Sequence, residues 1–218
     1  MYVETNLQIQ ELLESPNVRL IINEVNEKLQ LENRNREAFY NAIDENMKAE
    51  FINGSMIVHS PVMLRHNLVT GNIYKIIDFY TIKHNLGLTG IEKLMISLTR
   101  NDYEPDICFF KKEKSDLFKP DQKLFPAPDL VVEVLSKSTE TNDRNVKFHD
   151  YEAHEIEEYW IVDTDKETIE QYHLENKKYK EIKRTDNGTL KLFVVNDLKI
   201  PVRAIFDSGL NFEFLQKI

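Results

Sequence analysis

Apolar positions along the chain recur at two spacings, and together they predict an α+β fold. Helical spacing, with apolar residues three and four positions apart, is found in residues 15–30, 36–48, 60–86 and 142–154. Short apolar or alternating runs, which are typical of strands, are found in residues 50–58, 91–98, 107–110, 130–134, 158–163, 168–174 and 178–184, and residues 198–206 close the chain. Asn53-Gly54 predicts a tight hairpin turn inside the first of these runs. We find no internal repeat or linker, so we predict one domain at residues 36–218, preceded by an N-terminal helical extension at residues 1–35.

Two of the predicted strands open with a proline-aspartate step. Pro105-Asp106 opens one strand, and Pro128-Asp129 opens the next. Proline has no N–H to donate to a neighbouring strand, so it suits the first position of a strand. The acidic residue that follows it then lies at the start of the strand. Glu133 stands inside the second strand, on the same face as Asp129, because side chains alternate between faces.

Acidic groups on two neighbouring buried strands point to a metal ion. An unpaired carboxylate inside a sheet costs several kcal/mol unless something neutralises it, and a divalent cation does so. Oxygen ligands alone favour Mg²⁺, Mn²⁺ or Ca²⁺. Asp106 begins the neighbouring strand, so Asp106 and Glu133 are placed to converge on one ion.

Hydrolysis of a phosphodiester at such an ion also needs a cationic group, which is usually a lysine. Two positions after Glu133, on the same strand face, the chain has Leu135 instead. The nearest alternative is Lys147 on the following helix, on one face with Phe148 and Tyr151. Taken singly, Lys147 is more commonly explained as a surface lysine, and Asp106 and Asp129 as solvated acids at strand ends. Glu133 is not explained in this way, because it lies inside an apolar run.

Charge and composition narrow the classes of function. The 218 residues include 28 basic and 37 acidic side chains, a net charge of -9, which argues against strong nonspecific binding of nucleic acid. The lysine-rich segments at 111–123 and 176–184 are interpreted as solvated hairpin tips. One cysteine excludes an internal disulfide and fits a cytoplasmic location. No apolar run approaches membrane-spanning length, so no membrane partner is expected.

A family resemblance emerges from the central motifs. The run PDLVVEVLSKST at 128–139, then Asp143-Arg144, Lys147 and Tyr151, then EYWIVD at 158–163, resembles the bacterial Uma-two family of the PD-(D/E)xK nuclease superfamily. The match extends from about residue 36 to 207 and includes, further upstream, residues 50–54, 60–61, His66 and 105–106 and, downstream, residues 200–203. Several spaced elements occur in the right order, which makes this resemblance specific.

The resemblance implies a restriction-endonuclease-like core, a central mixed sheet flanked by helices, and an endonuclease that cuts phosphodiester bonds in DNA with Mg²⁺ (or Mn²⁺). It implies Asp106 and Glu133 as metal ligands and Lys147 as a catalytic lysine that has migrated from the strand to the helix. The auxiliary residues expected around this set are Glu50, His66, Asp129 and Tyr151. Nucleases of this fold often pair to cut two strands, so a homodimer is expected.

The chain also departs from the family pattern. Ser55 stands where the family usually has an acid, residues 154–157 replace a glycine-containing turn, and residues 1–35 have no counterpart. A second hypothesis therefore stays open, a non-catalytic nuclease-fold protein that binds nucleic acid or a protein partner. The acidic net charge and the displaced lysine favour it, whereas retention of both acids and a lysine favours the enzyme.

Overall fold

The structure, a computed structural model, describes residues 2–44 and 46–218, with side chains from residue 7 onward. The helices are α1 (Tyr2–Glu14), α2 (Val18–Ala42), α3 (Leu64–His84), α4 (Lys112–Ser115), α5 (Glu140–Asn142), α6 (Phe148–Ala153), α7 (Arg203–Phe206) and α8 (Ser208–Leu215), with a π-helical turn at Asp143–Lys147 between α5 and α6. The strands are β1 (Ala49–Ile52), β2 (Ser55–Val58), β3 (Gly87–Ile91), β4 (Met95–Ser97), β5 (Asp102–Tyr103), β6 (Ile107–Lys111), β7 (Leu124–Phe125), β8 (Leu130–Val134), β9 (Glu158–Asp163), β10 (Thr168–Glu175), β11 (Lys178–Thr185), β12 (Thr189–Lys191) and β13 (Lys199–Pro201).

The chain divides into two compact units, one of residues up to 59 with 100–102, the other of residues 60–99 with 103–218. In the first unit, α2 runs continuously through what the sequence predicts as two helices, because residues 31–35 contain no glycine or proline that would break it. The predicted boundary at residue 35 therefore falls inside α2. The guanidinium of Arg36 anchors this helix, donating from Nε and Nη2 to Asp102 at 2.6 Å each.

The hairpin of β1 and β2 confirms the predicted turn. Asn53 and Gly54 both have positive φ, 50° and 84°, as a two-residue hairpin turn requires. A Cβ at Gly54 would come within 2.8 Å of the Glu32 side chain on α2, so glycine meets both the backbone and the packing requirement there.

The second unit contains a six-stranded mixed sheet in the order β11-β10-β9-β8-β6-β3, with β8 and β9 parallel and the other neighbours antiparallel. Both proline-aspartate strands are interior strands of this sheet, as the neighbours β6 and β8. The apolar side of α3 packs with one face of the sheet, where Val132 and Trp160 are fully buried. Alternation sends Glu133 and Tyr159 to the opposite face, where the rings of Tyr151 and Phe148 on α6 contact Tyr159. The predicted mixed sheet flanked by helices is confirmed.

Two local predictions needed correction, and one helix was not predicted. Helix α3 spans Leu64–His84, shorter than the predicted 60–86, because Asn85, with a φ of 55°, forms a left-handed cap. The single strand predicted at 91–98 is two strands, β3 and β4. Helix α8 was not predicted; it begins where Oδ1 of Asp207 accepts a hydrogen bond from the N–H of Leu210 at 2.9 Å. None of the helices in the described part of the chain combines the length and hydropathy needed to span a bilayer.

Candidate active site

Asp106 and Glu133 face one another at the centre of the sheet. Strands β6 and β8 are antiparallel with Ile107 opposite Val132, so one step further along the ladder Asp106 comes opposite Glu133. Side chains of directly opposed residues project to the same face, with Cβ atoms about 5 Å apart. Both residues are buried, with exposed fractions of 6% for Asp106 and 3% for Glu133.

Asp106 is held in place from two directions. Its Oδ2 accepts a hydrogen bond of 2.9 Å from the backbone N–H of Val134 in β8. The same oxygen lies 3.2 Å from Nε2 of His66, a buried residue of α3 whose other ring nitrogen is 3.4 Å from Oγ1 of Thr70. His66 thus belongs to this site, where it fixes the orientation of one carboxylate.

Lys147 reaches the other carboxylate from the helical segment. Its Nζ donates to Oε1 of Glu133 at 3.0 Å, and the hydroxyl of Tyr151 donates to the same oxygen at 2.9 Å. Lys147 is only 2% exposed, so its ammonium is removed from bulk water. The long aliphatic stem lets a residue of the helical segment supply a cation beside β8. The strand itself has no such cation, because Leu135 stands two positions after Glu133, where a lysine would be expected.

Asp143 is a member of the site that the sequence analysis did not assign. Its Oδ1 lies 3.2 Å from Nζ of Lys147, and the residue is buried. The ring of Tyr103 lies 5.7 Å from the same Nζ, within the range of a cation–π contact. The spacing of four residues between Asp143 and Lys147 was visible in the sequence, but such pairs are usually exposed ion pairs on a helix surface.

The five residues from Asp143 to Lys147 form a π-helical turn. A π turn is wider than an α turn, and it is rare and frequent at functional sites. Here it carries both the lysine and its second acidic neighbour, and α6 resumes immediately after it at Phe148. The irregular turn therefore sets the direction in which Lys147 leaves the helix.

Electrostatic shifts nearby agree with a concentration of negative charge on this face. Burial raises the pKa of the Cys108 thiol well above its usual range, and the charge of Glu133 adds to the shift. Burial likewise raises the pKa of Tyr159, the charges of Asp143 and Glu133 raise it further, and Lys147 opposes them.

The donor set fits a hydrated divalent cation. Three carboxylates, from Asp106, Glu133 and Asp143, and one ammonium, from Lys147, leave the buried cluster with a net charge of −2 when ionised. Within the described residues, no three His, Cys, Asp or Glu side chains are arranged as a complete metal-binding set. Mg²⁺ is commonly held by one or two carboxylates and keeps several waters, so Asp106 and Glu133 suit it better than an ion that needs a full protein cage.

Asp129 and Glu50 are the two other predicted auxiliary residues. Asp129 shares a strand face with Glu133 but stands four residues away, about 13 Å at the rise of a strand. Its carboxylate instead accepts the backbone N–H of Lys111 at 2.7 Å and lies 3.0 Å from Nζ of Lys114. Glu50 belongs to the other unit, where its Oε2 is 3.2 Å from Nε2 of His59.

Comparisons with known proteins identify the fold and the family of this chain. A solved structure titled "a putative nuclease belonging to DUF820 from Anabaena variabilis ATCC 29413" superposes with a TM-score of 0.67 at 16% identity, covering 77% of this chain and 94% of that one. At that identity the likeness establishes the fold. No curated protein matches the chain. The model of the Uma2 family, described as "Putative restriction endonuclease", matches residues 36–203, and the chain therefore belongs to that family.

Proposed function

We propose that the protein is a metal-dependent endonuclease that hydrolyses phosphodiester bonds in DNA. The observation that carries this proposal is the buried Lys147, bonded at 3.0 Å to Glu133, which faces Asp106 on the adjacent strand. Metal-assisted phosphodiester hydrolysis uses carboxylates that hold a divalent ion, together with a cationic group such as a lysine beside it. Membership of the family supports the nuclease class.

Asp106 and Glu133 would hold Mg²⁺ (or Mn²⁺). When bound, such an ion supplies Lewis-acid polarisation of the scissile phosphate and lowers the pKa of a bound water. Lys147 places a fixed positive charge beside the reacting phosphate, where it orients the attacking water or stabilises the developing negative charge. Tyr151 and His66 keep the two carboxylates in one orientation through the contacts described above.

Replacement of Glu133 by Gln tests this proposal. The carboxamide keeps the shape of the side chain but loses the charge that binds metal, so we expect the single-turnover cleavage rate at saturating Mg²⁺ to fall by about 100-fold or more. The rate is measured on a supercoiled plasmid and on a labelled duplex.

Glu152→Gln is the matched control. Glu152 is a buried acid on α6 whose carboxylate binds Lys178 and the N–H of Tyr179. We expect this variant to cleave at the wild-type rate. Wild-type cleavage by Glu133→Gln, or equal losses in both variants, contradicts the assignment of Glu133.

The alternative is a nuclease-fold protein that binds nucleic acid or a protein partner without cleaving. It is favoured by the net charge of -9 and by the direct contact of Lys147 with Glu133, which already compensates one of the two carboxylates. Calorimetric titration with Mn²⁺ separates the two functions, because only the enzyme needs a metal at this site.

The proposal includes a homodimer in the cytoplasm. Cutting both strands of a duplex takes two sites, and α2 presents exposed Ile22, Val25 and Leu29 at the alternating spacing of three and four residues that pairs helices. Light scattering on the full chain measures this oligomeric state. The one cysteine, Cys108, is a buried free thiol, as a reducing compartment maintains.

A further inference from the structure

We propose that Asp143 is a positioning residue, which acts as a second carboxylate beside Glu133 and holds the ammonium of Lys147 in its catalytic orientation. The inference rests on the proposed nuclease function of the site. Nζ of Lys147 lies 3.2 Å from Oδ1 of Asp143 and 3.0 Å from Oε1 of Glu133, so the ammonium contacts one carboxylate on the helix and one on the sheet. Asp143 and Lys147 are 1% and 2% exposed, which makes this an interior contact and not a surface ion pair.

The position of Asp143 is fixed by the sheet as well as by the helix. The hydroxyl of Tyr159, a fully buried residue of β9, donates to the backbone carbonyl of Asp143 at 3.0 Å. This bond ties the first residue of the π turn to the strand next to β8, which carries Glu133. The two carboxylates around Lys147 are therefore held by adjacent strands of one sheet: Glu133 lies on β8, and Asp143 is bonded to β9.

Lysine needs this kind of restraint. Its four-carbon stem is flexible and its ammonium is a point charge without the rigid fork of arginine, so a single ionic partner leaves its direction poorly defined. Glu133 is also a proposed metal ligand, and a ligand that shares its charge with an ion attracts the lysine less. Asp143 lies outside the proposed ligand pair, so its hold on Lys147 persists when metal is present.

A positioning role predicts an effect on rate and not on metal binding. We expect Asp143→Asn to lower the single-turnover cleavage rate by about 10-fold and Asp143→Ala by about 100-fold, since a displacement of about 1 Å in a reacting group has effects of that size. The Mg²⁺ concentration at half-maximal rate should stay within about two-fold of wild type. A shift of that concentration in step with the loss of rate overturns the role.

The double variant with Lys147→Ala tests whether Asp143 acts through the lysine. If it does, adding Asp143→Ala to Lys147→Ala causes no further loss, because the group being positioned is already gone. Multiplying losses indicate a separate structural effect and overturn the proposal. Glu152→Gln serves again as the control, because Glu152 is a buried acid on α6 whose carboxylate binds Lys178 and the N–H of Tyr179.

A measurement that does not depend on cleavage separates failure of this inference from failure of the proposed function. Acetic anhydride acetylates accessible lysines, and mass spectrometry reports each site. In the folded wild type Lys147 should be among the slowest lysines to react, and Asp143→Asn should increase its labelling several-fold while exposed lysines such as Lys83 stay unchanged. Wild type that fails to cleave DNA refutes the nuclease, whereas unchanged labelling of Lys147 in Asp143→Asn refutes the positioning role.

Discussion

At the scale of single residues, the account centres on a buried lysine among carboxylates. Lys147 contacts Glu133 and Asp143 directly, and Asp106 stands across the ladder from Glu133. Removal of one partner of a buried ion pair lowers the stability of the protein, because the remaining charge stays buried without compensation. The stability of the protein should therefore report on this cluster even where no substrate is present.

We expect Lys147→Met to lower the free energy of unfolding by about 3–5 kcal/mol in the absence of metal, the usual cost of breaking a buried ion pair. The ionised cluster would change from a net charge of −2 to −3, so Mg²⁺ should stabilise the variant more than it stabilises the wild type. Urea unfolding with and without Mg²⁺ measures both effects. Lys83→Met, at an exposed lysine of α3, is the control, and equal stability of the two variants would contradict the account.

The sequence predicted part of this cluster for clear physical reasons. Alternation along an apolar strand placed Glu133 on a defined face, and the proline-aspartate step placed Asp106 at the entry of a strand. These are local rules. The role of Asp143 depends on a π turn and on a contact with β9, which come from tertiary packing, so its four-residue spacing from Lys147 did not by itself identify it.

At the scale of elements, the π turn is the unusual feature. It lies between α5 and α6 and contains both Asp143 and Lys147. An α-helix repeats every 3.6 residues, and a π turn spans one residue more per hydrogen bond, so the turn changes the direction of every side chain within it.

Deletion of one residue from this turn tests its importance. We expect removal of Asn145, an exposed residue in the turn, to restore α-helical hydrogen bonding and turn Lys147 away from Glu133, with a loss of cleavage of about 100-fold and little change in helix content. Asn145→Ala keeps the length of the turn and should retain activity. Cleavage by the deletion variant at the wild-type rate would show that the turn does not direct the lysine.

Other elements show where sequence patterns reach their limit. The hairpin strands β10 and β11 and the strand β9 were predicted within one residue, because their alternation and their turns are local. The continuous α2 was predicted as two helices, because its polar stretch near residue 33 interrupts the apolar period without breaking the helix. The order of strands in the sheet pairs residues far apart in the chain, and periodicity alone does not determine it.

At the scale of the whole molecule, the protein has many charged side chains, and lysines in both lysine-rich segments form ion pairs with nearby acids. Both lysine-rich segments have acidic partners, such as Asp116 at 3.0 Å from Lys112 and Glu175 at 2.6 Å from Lys180. Such ion pairs reduce the positive charge that these segments offer to a phosphate backbone, in keeping with the net charge of -9. Engagement of DNA would depend on the metal site more than on a broad basic surface.

The most direct test of the central claim is the position of Mn²⁺ in crystals of the protein, read from its anomalous scattering. The account predicts one strong peak between the carboxylates of Asp106 and Glu133, with metal–oxygen distances of about 2.0–2.6 Å, and loss of that peak in Glu133→Gln. Lys147 should remain beside the site in the same crystals. A peak at other residues, or no peak between these two carboxylates at saturating Mn²⁺, would contradict the metal-dependent nuclease.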